Sequence, residues 1–233
     1  MKIAIMQPYF MPYIGYFQLI NSVDKFIIYD NIQYIKGGWI NRNRILSNGN
    51  DKIFTVPLKK GSNYLNVVDR FLSDSYEKDK VKILNVIKST YKKSPYFEEI
   101  YELILKCFNS KKNNLFEFVL ESIKIINNYL NIKTPIVISS SIEIDHSLKS
   151  QNKVISICKN QKGSVYINPI GGIDLYDKIV FEQNGIDLKF IKSNLTEYKQ
   201  FDNQFIPWLS IIDVLMLNSK EQIKNYLNNY ILI

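Results

Sequence analysis

Cysteine is nearly missing from this 233-residue chain: only Cys107 and Cys158 occur, far apart and with no CxxC pair. That spacing excludes a cysteine-built zinc cluster and argues against a disulfide scaffold. Histidine is scarcer still. His146 is the single one, so the chain contains no HxGH pair, no HExxH site and no defined Ser–His or Cys–His triad. Arginine is confined to Arg42, Arg44 and Arg70. No apolar run approaches the ~18–20 residues of a membrane span, and the opening MKIAIMQPYF turns polar too soon for a signal peptide. A cytoplasmic protein with no membrane span, no metal and no tightly bound cofactor is expected.

What is present points to a globular protein. Hydrophobic residues make up 46% of the chain, too many for a disordered one. The length suits one large domain or two small ones. A net charge of +8 favours anionic partners such as nucleotides, phosphorylated carriers, RNA or acidic membranes. The abundance of Ile, Asn and Lys also fits an AT-rich coding sequence, so part of the charge reflects composition alone.

Short apolar runs alternate with helical periods. Residues 2–6 (KIAIM) and 25–30 (KFIIYD) read as strands, separated by a short helix over 14–22. Residues 31–45 read as a polar loop with a Gly37-Gly38 turn, and 53–58 as a strand. Three helices follow within 74–131: one capped by Asp74 or Ser75, one after Ser94-Pro95, and one after Asn114. Strands are expected at 135–139, 164–167 and 188–191, and helices at 150–161, 209–217 and 220–229. The expected fold is a single α/β domain over 1–233. It has a mostly parallel, Rossmann-like sheet with helices on both faces and a helical segment in the middle.

Three segments carry candidate chemistry. Gln7, Tyr9 and Tyr16 belong to the irregular stretch after the first strand, where open α/β sheets bind ligands. The competing reading is a proline-stiffened aromatic loop that merely packs. After the second strand, Asp30 is a candidate base, and Gln33 and Asn41 offer amides. Lys36, Arg42 and Arg44 suit phosphates, arginine through its planar donor fork. Tyr34 and Trp39 offer stacking surfaces. Here the alternative is a solvated charged turn. In Tyr166–Gly172, Asn168 is polar, and Gly171 and Gly172 permit close backbone approach to a ligand. The spacing is neither GxGxxG nor a P-loop, so an ordinary turn is as good a reading. His146, in a polar stretch, reads as structural or surface.

Several blocks together resemble the WbqC-like protein family: IAIMQPYFMPYIGYFQLI, DNIQYIKGGWINRNRI, FTVPL, SPYF, YINPIGG and FIPWLSIIDVLMLNS. Met6 stands where many members have histidine, so chemistry assigned to that histidine does not carry over. The resemblance implies a place in O-antigen or other surface-polysaccharide synthesis, beside enzymes of nucleotide-linked amino sugars. It implies acyl or aminoacyl transfer, such as glycine addition, to a sugar amine. The co-substrate would be a thioester or aminoacyl ester, supplied by an acyl carrier or an aminoacyl-tRNA. Asp30 would then act as base, with the amide of Gln7 or Asn41 as oxyanion donor.

Two other readings remain open at this level. A non-catalytic sugar-nucleotide-binding or assembly protein of the same pathway predicts a pocket without a desolvated acid, which a transferase should have. An RNA-binding protein predicts a broad lysine face and steep salt dependence.

Overall fold

A computed structural model describes all residues, 1–233. Its main sheet has six strands. Five are parallel: β1 (Lys2–Met6), β2 (Lys25–Ile28), β5 (Ile136–Ile138), β6 (Val165–Pro169) and β7 (Asp187–Ser193). The sixth, β8 (Tyr230–Leu232), pairs antiparallel with β7 at one edge. The spatial order is β5-β2-β1-β6-β7-β8. Among the parallel strands this is the Rossmann-like order 3-2-1-4-5, with the reversal of winding between β1 and β6. The mostly parallel sheet read from the sequence is therefore present.

Alternation along the strands divides the core. Ala4, Phe26 and Ile28 face the larger apolar cluster, shared with α1 (Ile14–Asn21) and with the helical segment. That segment comprises α2 (Tyr76–Tyr91), α3 (Phe97–Phe108) and α4 (Leu115–Tyr129). Ser75 takes the N-cap position of α2, and Asn114 Oδ1 accepts from Glu117 N at 3.1 Å to cap α4. Ile3, Ile5 and Ile27 face the other way, against α5 (Ser150–Asn160) and α6 (Lys178–Gln183). The sheet is buried on both sides, as the near-continuous apolar runs of its strands require.

Four points differ from the sequence-based expectation. Residues 42–47 are not loop. They form β3 (Arg42–Ser47), which pairs antiparallel with β4 (Asn50–Thr55) in a hairpin separate from the main sheet. Its turn residues Asn48 and Gly49 have φ of 51° and 75°, the left-handed pair that a tight hairpin demands. The strand expected at 53–58 accordingly starts and ends earlier. After α7 (Ile211–Leu217), α8 spans only Lys220–Tyr226, and the chain then turns into β8. Finally, α6 has no counterpart among the sequence-based elements.

Candidate functional site

In open α/β sheets, ligands sit beyond the carboxyl ends of the strands where the winding reverses. Here that point lies past Met6 and Pro169. A cleft of about 920 Å³ opens there, bounded by the ends of β1, β2 and β6 and by the start of α5. Gln7, Tyr9, Gln33, Asn168, Gly171 and Gly172 line it, so this part of the sequence-based site is assembled in one place. Gln7 has no side-chain hydrogen bond within the chain, leaving its amide available. Gln33 is anchored through Nε2 to the Asn63 carbonyl at 2.8 Å. Asn168 is buried, accepting from Tyr166 Oη at 3.0 Å and donating to the Pro169 carbonyl at 3.0 Å.

The cleft also holds residues that sequence reasoning did not select. Lys149, Ser150 and Lys153 come from the first turn of α5, which has no side-chain cap. Lys153 is only 6% exposed, and its ammonium lies 5.1 Å from the Tyr29 ring centre. No carboxylate or other acceptor pairs with it. Burial pushes this ammonium below the usual lysine range. The Asp30 carboxylate draws it partly back, and Lys149 pushes it further down. The available signal was a lysine one helical turn before Ile157, on the inward face of α5.

His146 lines the same cleft, but both its nitrogens are engaged. Nε2 faces the Ile142 carbonyl at 3.0 Å and Nδ1 faces Asn31 Nδ2 at 3.0 Å. A carbonyl can only accept, so Nε2 carries the proton and Nδ1 accepts from the amide. No ring lone pair is left for proton transfer.

Asp30 lies elsewhere than a base should. It is 1% exposed and does not line the cleft. Its Oδ1 accepts from Ser139 Oγ at 2.8 Å and from Ser140 N at 2.9 Å, tying the end of β2 to the turn after β5. Asn41 is likewise internal, between Tyr34 Oη at 2.9 Å and the Val56 carbonyl at 2.7 Å. Tyr34 packs under Arg70, and buried Tyr16 donates to the Gln7 carbonyl at 2.9 Å. Arg42 lies over Trp39 at 5.1 Å, and Lys36 is exposed; neither lines the cleft.

A second cavity, of about 450 Å³, adjoins the first. The two share Tyr9, Pro169 and Gly171. Trp39 and Arg44 line this second space, together with Trp208. Arg44 is committed to the Pro207 and Trp208 carbonyls and to Asp51, so its donors fix the loop before α7. Both cysteines are buried, with their thiols pushed up to about 12, and neither lines either cavity.

The profile of the WbqC-like protein family matches residues 7–225, which takes in the second cavity and all of the cleft's lining but Ile5 and Met6. The chain belongs to this family. It is also 28% identical over 216 residues to an uncharacterized protein of Mycobacterium tuberculosis, covering 92% of each chain. No solved structure matches. The family's sequence blocks map onto the walls of the two cavities: QPYF and YINPIGG onto the switch point, and the segment around Trp208 onto the second space. Met6 also lines the cleft. No helix is long and apolar enough to cross a membrane.

Proposed function

We propose that the protein transfers an acyl or aminoacyl group to the amine of a nucleotide-linked sugar, in the synthesis of O-antigen or a related surface polysaccharide. The observation that carries this reading is Lys153, whose stem is buried and whose ammonium, over the Tyr29 ring and without a hydrogen-bond or carboxylate partner, faces a large cleft at the switch point. A lysine lowered by partial burial in a cleft is a candidate for binding or proton transfer there. The nucleotide diphosphate lies against Lys149 and the uncapped first turn of α5, where backbone N–H groups and the helix dipole favour an anion. The sugar amine lies towards Lys153 and the free Gln7 amide.

In the transfer, the amine nitrogen forms a bond to the donor carbonyl carbon. The thioester or ester bond breaks, and the donor leaves as thiol or alcohol. The amine gives up one proton, which Lys153 in its neutral form accepts and passes to the leaving group. Gln7 Nε2 donates to the developing oxyanion. Asp30, behind Lys153, tunes its charge state and takes no proton itself.

A non-catalytic sugar-nucleotide-binding role has one specific observation in its favour: no carboxylate lines the cleft. Comparison of Lys153→Met with the native chain separates the two. Calorimetry with UDP-, dTDP- and GDP-linked amino sugars should show binding in both proteins. Amide formation with a panel of acyl thioesters and aminoacyl esters should fall by roughly 10²–10⁴-fold in the variant. Binding without turnover in the native chain supports the binding protein. Binding of none of the sugars overturns both.

A further inference from the structure

The second cavity has a floor with unmet hydrogen-bonding capacity. Gln18 is 1% exposed, and its Nε2 donates to the Tyr226 carbonyl at 2.7 Å and the Asn229 carbonyl at 3.2 Å. Two carbonyls fix which end of the amide is the donor, so Oε1 is left as an acceptor with no partner. Ser193 Oγ, on β7, is also buried without a partner. Both residues line this cavity. Buried polar groups are rarely left unpaired, and two of them in one cavity mark a place where a ligand completes the set.

The remaining walls are aromatic and apolar. Trp39 and Trp208 are 42% and 43% exposed. Trp208 has a φ of 58°, a conformation that bulky residues seldom adopt and that tends to persist where a site requires it. Tyr13 meets its ring edge-on at 5.9 Å. Other polar groups reach these walls, among them the Tyr9 and Tyr13 hydroxyls and Lys192, but the two atoms buried there without a partner are one acceptor and one donor. A secondary amide between methylene segments brings one N–H, for Gln18 Oε1, and one carbonyl, for the Ser193 hydroxyl. Its hydrocarbon lies against the aromatic walls.

We propose that this cavity binds the amide-bearing arm of a pantetheine thioester, making the second substrate a thioester rather than an aminoacyl ester. The assignment deepens the transferase reading and rests on it for the meaning of the site. The two cavities meet at Tyr9 and Gly171, where a Cβ would touch nothing within 4 Å, so the thioester carbon reaches the amine there. Lys192, on the cavity wall and exposed, is placed to meet phosphates on a longer carrier.

The chain's only two tryptophans both line this cavity, so tryptophan emission, excited selectively over the tyrosines, reports on it. Titration with pantetheine should give a saturable blue shift in the native chain and in Lys153→Met, whether or not transfer activity is found. Ser193→Ala removes an unpartnered hydroxyl and should fold normally by circular dichroism, while weakening pantetheine about tenfold, the equivalent of one hydrogen bond. N-acetylglucosamine and glycine at the same concentrations should leave the emission unchanged. No response to pantetheine, a response equal in Ser193→Ala, or a stronger response to either of the other compounds overturns the proposal. Pantetheine binding without sugar-nucleotide binding leaves the donor site standing and removes the transferase reading.

Discussion

The Tyr91 hydroxyl donates to Asp213 Oδ1 at 2.7 Å and accepts from the backbone N–H of Leu46 at 3.1 Å, all three groups being buried. One phenol thus joins the end of α2 to the β3 strand and to α7, the helix that follows the loop carrying Trp208. Tyr91→Phe leaves a buried N–H without a partner and takes one donor from a buried carboxylate. The expected loss is about 2–4 kcal/mol of unfolding free energy, read by urea denaturation with an unchanged m-value. A loss below about 0.5 kcal/mol would show that water replaces the hydroxyl.

Asp213 makes stability depend on pH. Burial raises its carboxyl above the usual range, while hydrogen bonds from Tyr91, Tyr198 and Gln200 pull it part of the way back. With a folded value above the unfolded one, the folded protein binds the proton more tightly. The stabilising contribution is therefore complete below the unfolded value and is lost as pH rises through the folded value. The difference in stability between the native chain and Asp213→Asn should move in favour of the native chain on going from about pH 7 to about pH 4. A difference that does not change over this interval removes the linkage.

The parallel strands were legible because they are buried on both faces and read as apolar runs. The helical segment was legible because its spacing and the Asn114 cap are local signals. The β3 strand was not: Arg42-Asn43-Arg44 is polar by composition, yet Asn43 is buried and its amide donates to the Phe10 and Met11 carbonyls. Only the Asn48-Gly49 turn marks the hairpin, and the polarity of the strand before it masks the signal. At the site, proximity to strand ends selected Gln7, Gln33, Asn168 and the glycine pair, which the structure brings together on one cleft. It failed for Asp30, whose partners Ser139 and Ser140 are more than a hundred positions away in sequence. Ser193 carries no such signal, and Lys153 carries only that of a lysine on the inward face of a helix. What distinguishes them is the lack of a partner, a property of the folded surroundings and not of residue type.

Asp30→Asn should behave as a structural change. The amide oxygen can still accept one of the two bonds from Ser139 and Ser140, and the charge beside Lys153 is removed. The expected cost is about 1–3 kcal/mol in stability, with sugar-nucleotide affinity within about threefold of native by calorimetry, since no cleft contact is lost. Loss of the Asp30 charge also lowers the Lys153 ammonium further, so the acidic limb of a transfer pH profile, where Lys153 loses its proton to become the base, should shift to lower pH. A folded variant that loses sugar-nucleotide binding would restore Asp30 to the ligand site.

Gly171 and Gly172 are adjacent, yet they should respond in opposite ways. A Cβ at Gly172 would come within 2.2 Å of Asn168 Nδ2, and Asn168 cannot withdraw without releasing Tyr166 Oη and the Pro169 carbonyl. Gly172→Ala should therefore cost about 1–3 kcal/mol in stability, the usual range for overpacking at a buried position. At Gly171 nothing lies within 4 Å of the added carbon, and its φ is not in the left-handed region, so the backbone tolerates a side chain. Gly171→Leu should melt within about 2 °C of the native chain, as a surface substitution does. Its side chain projects into the junction of the two cavities. Pantetheine and sugar nucleotide should then each still bind alone, but no longer together, and turnover should fall at least tenfold. Simultaneous binding in Gly171→Leu, shown by calorimetry of one ligand in saturating amounts of the other, would mean that the two cavities do not communicate through this junction.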